Sequence, residues 1–340
     1  TPRLGGRALQ CDGCASRYIQ YHSCRDRHCP ICGYQASQAW VEARMQDVLP
    51  VTYHHLVFTL PHQLNPWVGR YREPIYRLLF KAVWQTLNQF GQDPQRLNGK
   101  LGAMLVLHTW GQTLTRHVHM HCLVPGGALQ ADGSWRSGSS TWLFPVRALS
   151  RHYRGKMVSL LRRSRAEFAT FGDTEIDQML AALMRKKWVV YSKPVLTHTE
   201  TVIEYLARYT KRIGITNARI LRMDERHVWI RYKNYRNDGK QQVMKLAGEE
   251  LLTRFLMHLL PEGFMRVRYY GYLANPCRRK NIATIVHALK DNRSMTRRTA
   301  KPTAASSCGP TTCQRCGQAL RFVAEVLPIL AAPPESQDTG

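Results

Sequence analysis

Arg116-His117-Val118-His119-Met120-His121-Cys122-Leu123-Val124-Pro125-Gly126-Gly127 decides how the rest of the chain is read. Alternation with a period of two makes this run a β-strand. His117, His119 and His121 then share one face, and Val118, Met120 and Cys122 the other. One face belongs to a core and the opposite face is lined with imidazole. Histidines at i and i+2 stand about 6–7 Å apart at Cα, so their ring nitrogens can converge on one cation. The solvated side of an amphipathic strand explains a single such histidine; three in alternation point to metal binding or catalysis. The run closes on Gly126-Gly127, a turn signal.

The chain around this strand has 340 residues, enough for two or three domains or one large domain with appendages. Lys and Arg number 49 against 23 Asp and Glu, a net charge of +26. That excess favours a polyanionic partner, and nucleic acid is the usual one. No basic amphipathic anchor helix stands out, and no apolar run of about 18 residues or signal-peptide pattern occurs, which argues against a membrane partner and for a protein of the cell interior. The first residue is Thr1 rather than Met, which suggests that the natural protein has residues before it.

Working outward, Gly102–Trp110 reads as a second apolar strand, turned by Gly111-Gln112 into an antiparallel hairpin with the histidine strand. Gln112 and His108 fall near the histidine face. Val51–Leu60 is a further strand, with Leu56, Phe58 and Leu60 on one side and Tyr53, His55 and Val57 on the other. His54 and His55 are read as structural. Residues 35–48 have helical spacing, as do 65–90, with Pro74 as a breaker. Residues 146–187 carry two helices, the first rich in arginine and a plausible phosphate contact. Strands are expected at 187–192, 218–222, 228–232, 242–246 and 265–273, and a helix at 249–260. From about 290 to 307 the composition is that of a basic linker, and 332–340 that of a disordered tail.

Ten cysteines in a chain without an export signal are metal ligands before they are disulfides. Cys11-x2-Cys14 and Cys29-x2-Cys32 form two knuckles separated by 14 residues, the spacing of a zinc ribbon. Cys24 is a fifth candidate, and it or His28 could replace one of the four. Cys308-x4-Cys313-x2-Cys316 suggests a second, smaller knuckle whose fourth ligand is not evident.

The segment Thr201–Arg212 has a helical period that sets Tyr205 and Tyr209 on one face, a turn apart. Two strand histidines and a pair of helix tyrosines supply the parts for covalent phosphodiester cleavage: imidazoles to hold a divalent cation, a phenol to attack phosphorus. His119-Met120-His121 resembles the His-hydrophobic-His motif of the HUH endonucleases, and Tyr205-x3-Tyr209 resembles their two-tyrosine motif. Together with Trp110-Gly111-Gln112-Thr113-Leu114, the stretch His121 to Gly127, Tyr205-Leu206-Ala207-Arg208-Tyr209-Thr210, and Ser23-Cys24 with Arg27-His28-Cys29-Pro30-x-Cys32, these resemble the two-tyrosine rolling-circle transposases of the insertion-sequence ninety-one kind over about residues 10 to 280.

The resemblance implies an α+β fold, a central antiparallel, RRM-like palm flanked by helices, preceded by an N-terminal zinc ribbon. Its division would be a ribbon at 1–35, a catalytic domain at 36–285, a basic linker at 286–307, and a Cys knuckle with a disordered tail at 308–340. It implies nicking and rejoining of single-stranded DNA at element ends and target DNA. Tyr205 and Tyr209 would be nucleophiles. Mg2+ or Mn2+ would sit on His119 and His121, with Gln112 or His117 as third ligand. Zn2+ would be held by Cys11, Cys14, Cys29 and Cys32, with Cys24 in reserve. It places the protein in the bacterial cytoplasm with the nucleoid. A plasmid replication initiator or relaxase of the same chemistry, and a non-catalytic zinc-ribbon protein, are the competing readings.

Overall fold

The computed structural model describes residues 2–22, 24, 44, 47–195, 214–235, 237–291, 313 and 315–328. It divides into two units, one made of residues 1–42 and 299–340, the other of 43–298. The first thus draws on both ends of the chain, where the sequence suggested separate terminal segments.

In that first unit, β1 (Gly6–Cys11) is followed by β2 (Arg17–Tyr21). The second unit begins with β3 (Tyr53–Thr59), then α1 (Asn65–Arg70), α2 (Arg72–Gln92), β4 (Gly102–Trp110) and β5 (Arg116–Pro125). Next come β6 (Gly127–Leu129), β7 (Trp135–Ser137), α3 (Val146–Arg163), α4 (Asp173–Arg185) and β8 (Val190–Val195). A meander of β9 (Ile220–Met223), β10 (His227–Asn234) and β11 (Lys240–Ala247) leads into α5 (Gly248–Leu256), β12 (Val267–Gly271) and α6 (Arg278–Asp291). The last strand, β13 (Leu320–Val326), pairs antiparallel with β1 in the order β13-β1-β2, completing the first unit.

The centre of the second unit is an antiparallel sheet in the order β12-β4-β5-β3-β8, with the histidine strand in the middle. Leu56 and Phe58 of β3, Leu105 and Leu107 of β4, and Val118, Met120 and Cys122 of β5 point to one side, where α2, α3 and α4 cover them. Ile75, Leu78, Leu79, Val83 and Leu87 give α2 its apolar stripe, and Leu149, Tyr153, Met157 and Leu161 give α3 the same i, i+4 pattern. Each fully buried Leu, Phe or Met of this layer contributes about 1.5–3 kcal/mol of transfer free energy. The α+β architecture and its central antiparallel sheet are therefore as the resemblance implies.

Three local differences have simple causes. The break in residues 65–90 falls at Tyr71, and Pro74 sits inside the first turn of α2, where a missing N–H costs nothing. Gly126-Gly127 is a place of close approach more than a free turn, since a Cβ on Gly126 would stand 2.7 Å from the Thr52 carbonyl oxygen. The arginine-rich α3 lies on the core side of the sheet, across from the histidines, so its charges are poorly placed for a strand at that site. The helical spacing of 35–48, the linker and the tail fall largely or wholly outside the described residues.

Candidate metal centres and active site

Strand pairing, more than strand alternation, builds the histidine site. In the β4–β5 register His108 stands opposite His119, and directly paired residues have Cβ atoms only about 4.5–5.5 Å apart. His108, His119 and His121 consequently form a cluster whose ligand atoms all lie within 4.8 Å of one another. Ring centroids are 4.4 Å apart for His108 and His121 and 4.8 Å for His119 and His121.

Burial favours the uncharged ring at His119 and His121. His119 is lowered to about 4, first by burial and then by repulsion from His117. His121 is lowered well below the ordinary histidine value by burial, with His108, His119 and His55 adding to it. Neutral imidazole is the form that ligates metal, so His119 and His121 can take an ion at neutral pH without first losing protons.

The neighbours orient the rings. His119 Nδ1 lies 2.8 Å from the His117 carbonyl oxygen, so Nδ1–H donates there and Nε2 is left with its lone pair. His121 Nδ1 lies 2.8 Å from His55 Nε2, and the two rings stack at 5.1 Å and 8°. With His121 presenting Nε2 to a cation, its Nδ1–H donates to His55. Metal-bound histidines usually have such an outer partner. His108 stacks on Trp110 at 4.6 Å. These donors fit a divalent transition ion; of the two expected ions, manganese accepts nitrogen ligands more readily than oxygen-seeking magnesium.

The cluster includes His119 and His121 from the expected set, and its third member is His108 in place of Gln112 or His117. A register shift between His108 and Trp110 inserts an extra residue on the β5 side, in the Arg116–His119 segment, and bulges of this kind bend a strand and re-aim its side chains. His117 faces His62, at 5.5 Å between centroids. Gln112 is engaged elsewhere: its Oε1 accepts the Lys233 backbone N–H at 3.4 Å and its carbonyl accepts from Arg219. His54 is structural, buried with Nε2 3.1 Å from the Ser139 carbonyl. His55 was missed because one histidine on a core-lined strand carries no signal until its cross-strand neighbour is known. Tyr205 and Tyr209 lie outside the described residues.

The second centre belongs to the terminal unit. Cys11, Cys14, Cys313 and Cys316 form a tetrad with all sulfurs within 4.8 Å. Cys11 and Cys316 sulfurs are 3.3 Å apart, and those of Cys14 and Cys313 are 3.6 Å apart. A tetrahedral zinc with Zn–S near 2.3 Å places its sulfurs about 3.8 Å apart, so the four fit one ion. Both knuckles are shaped alike: Gly13 N–H donates to Cys11 Sγ at 3.4 Å and Arg315 N–H to Cys313 Sγ at 3.3 Å. The Tyr18 hydroxyl, 3.1 Å from Cys313 Sγ, draws that thiol down to about 6. The expected partners Cys29 and Cys32 lie outside the described residues, and Cys24 is exposed and not in the tetrad. Cys308 is likewise outside them; Cys313 and Cys316 of the C-terminal knuckle meet Cys11 and Cys14 from the other end of the chain.

Residues 102–281, more than half the chain, match the family described as "Putative transposase", and residues 1–60 match "Transposase zinc-binding domain". The chain belongs to the insertion-sequence ninety-one-like transposases. Its relatives include "Putative transposase y4qJ" of Sinorhizobium fredii (strain NBRC 101917 / NGR234), 39% identical over 293 residues that cover 83% of this transposase and 74% of that one. The transposase for insertion sequence element IS801 of Pseudomonas savastanoi pv. phaseolicola is 25% identical over 300 residues, 85% of this chain and 71% of that one. Among solved structures, the conjugative relaxase TrwC in complex with mutant oriT DNA aligns at 12% identity and a TM-score of 0.28, over 68% of this chain and 71% of that chain. Zinc binding is thus a property of the N-terminal region of the transposase, whereas Cys313 and Cys316 stand beyond both matched segments. No helix among the described residues is long and apolar enough to cross a membrane.

Proposed function

We propose that this transposase cuts and rejoins single-stranded DNA at the ends of its element through a covalent 5′-phosphotyrosine, with Tyr205 and Tyr209 as nucleophiles. His108, His119 and His121 would hold manganese or magnesium, and Cys11, Cys14, Cys313 and Cys316 would hold zinc. The observation that carries the reading is the cluster of three imidazoles on paired strands of the central sheet, His108 buried and His119 and His121 half-buried, with ligand atoms all within 4.8 Å of one another. The ion at that cluster would supply a Lewis acid for the scissile phosphate. His117, through its carbonyl, and His55, through its Nε2, keep the ligand rings in the tautomer that offers Nε2.

In the chemical step a tyrosine Oη forms a bond to phosphorus as the P–O3′ bond breaks. The phenol proton passes to solvent or a base, and the departing 3′ oxygen gains a proton and becomes a hydroxyl. The new phosphodiester to tyrosine conserves the bond, so attack by another 3′ hydroxyl rejoins DNA and releases the enzyme. Tyrosine ionises near pH 10, so the basic residues Arg208, Lys211 and Arg212, close in sequence, would favour the phenolate. Two tyrosines four residues apart in the sequence would allow two strands to be held at once, one on each phenol, during movement of the element.

The test is incubation with single-stranded oligonucleotides tiled across the element boundary, with Mn2+. A denaturation-resistant protein–DNA adduct is expected from wild type and lost in Tyr205→Phe/Tyr209→Phe. Absence of an adduct across the whole tiling, or its persistence in the double variant, sinks the proposal.

A further inference from the structure

The β9–β11 meander has one covered and one open face. Val228, Ile230 and Leu246 form a small core with Leu114, with Leu251 of α5 against it. The alternate residues of β10, His227, Trp229, Arg231 and Lys233, therefore face away from that core. Register places Arg222 of β9 and Lys245 of β11 on either side of Trp229. Arg222 lies over the indole at 3.8 Å and Lys245 at 5.3 Å, while Lys233 lies over the Tyr235 ring at 5.4 Å. Arg222, Arg231, Lys233, Tyr235 and Lys245 are all exposed.

No Asp or Glu occurs in any of the three strands. Acids occur in the connecting turns, Asp224 and Glu225 between β9 and β10 and Asp238 between β10 and β11; Asp224 Oδ1 accepts the Arg226 and His227 backbone N–H groups at 2.9 and 2.7 Å. The meander is also fastened to the histidine hairpin. Lys233 N–H and Arg219 donate to Gln112, and Arg254 Nη1 donates to the Thr113 carbonyl at 2.8 Å. His258 joins the same hairpin, within 2.9 Å of the Leu114 carbonyl and 3.1 Å of Thr109 Oγ1.

We infer that this open face is a single-stranded DNA platform, which holds the backbone of the strand entering or leaving the histidine cluster. Acid-free cationic rows interleaved with aromatic rings on a flat sheet match the chemistry of an unpaired strand, whose phosphates meet Arg and Lys while its bases meet aromatic faces. The inference rests on the reading of the histidine cluster as a DNA-cleaving site, and it assigns to that site the surface that presents the substrate.

The experiment measures binding without cleavage. Full-length protein in EDTA is titrated into fluorescein-labelled dT30 from 50 to 300 mM NaCl, and anisotropy gives Kd and its salt slope. Arg231→Ser/Lys233→Ser/Lys245→Ser removes three cations from the face. Arg147→Ser/Arg151→Ser/Arg162→Ser removes three exposed cations from α3 as a matched control. With about 0.7 of slope per phosphate contact on a single strand, the face variant loses about 2 from the slope and binds at least about tenfold more weakly at 100 mM. The control changes less than about threefold. A melting temperature equal to wild type certifies the fold, and Lys233→Glu alone, expected to weaken binding in the same direction, serves if the triple variant is unstable. Equal losses in the two triple variants, no loss in the face variant, or an equal loss on a 30-base-pair duplex overturns the inference. Because nothing is cut in EDTA, failure of the phosphotyrosine reading would leave this result legible by itself.

Discussion

Replacing His55 by alanine removes no metal ligand, yet it should cost the transposase much of its affinity for manganese. His55 Nε2 is 2.8 Å from His121 Nδ1, and the ring lies parallel to that of His121. In the variant the Nδ1–H of His121 loses the His55 acceptor and the ring loses its stacking partner. Outer partners of this kind are worth roughly 10–100-fold in metal affinity, equivalent to about 1.4–2.7 kcal/mol. Because His55 is itself buried, His55→Gln is made alongside it; the Gln carbonyl can accept the same proton and should recover most of the loss. Calorimetric titration of Mn2+ into metal-free protein at pH 7.5 measures both, with thermal melts to certify folding. Folded His55→Ala that binds Mn2+ as wild type does would refute the reasoning, because the His121 ring would then need no orienting partner.

Three further outcomes are expected. His108→Ala should weaken Mn2+ binding as much as His119→Ala does, whereas Gln112→Ala should leave it within about twofold, a contrast that titration reads directly. Cys313→Ser/Cys316→Ser should remove the zinc from purified protein, although both lie some 300 residues from Cys11; metal analysis showing about one zinc retained would place the ion elsewhere. For the metal-free protein, melts between pH 7.5 and 4 should show stability falling with acidity. His55 and His119 are lowered to about 4 from 6.5. Below about pH 6.5 the unfolded chain takes up protons that the folded state refuses, so the loss accrues from there down to about 4 and then levels off. Constant stability across that window would mean that the rings are not buried uncharged.

Much of this was legible in the residues themselves. The alternation in Arg116–Pro125 marked the central strand, and the faces of β3, β4 and β5 followed from Leu56, Phe58, Met120 and Cys122 because a strand has only two sides. What could not be read was anything fixed by pairing between distant segments. His108 joins the cluster because of its register opposite His119, whereas the candidates Gln112 and His117 come from one strand or its turn. His55 is a partner of His121 for the same reason. The cysteine tetrad is the extreme case: Cys11-x2-Cys14 looks identical whether the knuckle beside it is at Cys29 or at Cys313, and the pairing of β1 with β13 is what brings the latter pair to it. Local chemistry names candidates, and topology chooses among them.

The central claim is that the cut strand becomes bonded to a tyrosine of the Tyr205–Tyr209 pair. It is tested most directly by trapping the adduct on a single-stranded element end, digesting it with nuclease and protease, and sequencing the modified peptide by mass spectrometry. The account predicts a peptide carrying a 5′-linked nucleotide on Tyr205 or Tyr209. A nucleotide mapped to any other residue, or a cut end released without a covalent intermediate, would contradict it.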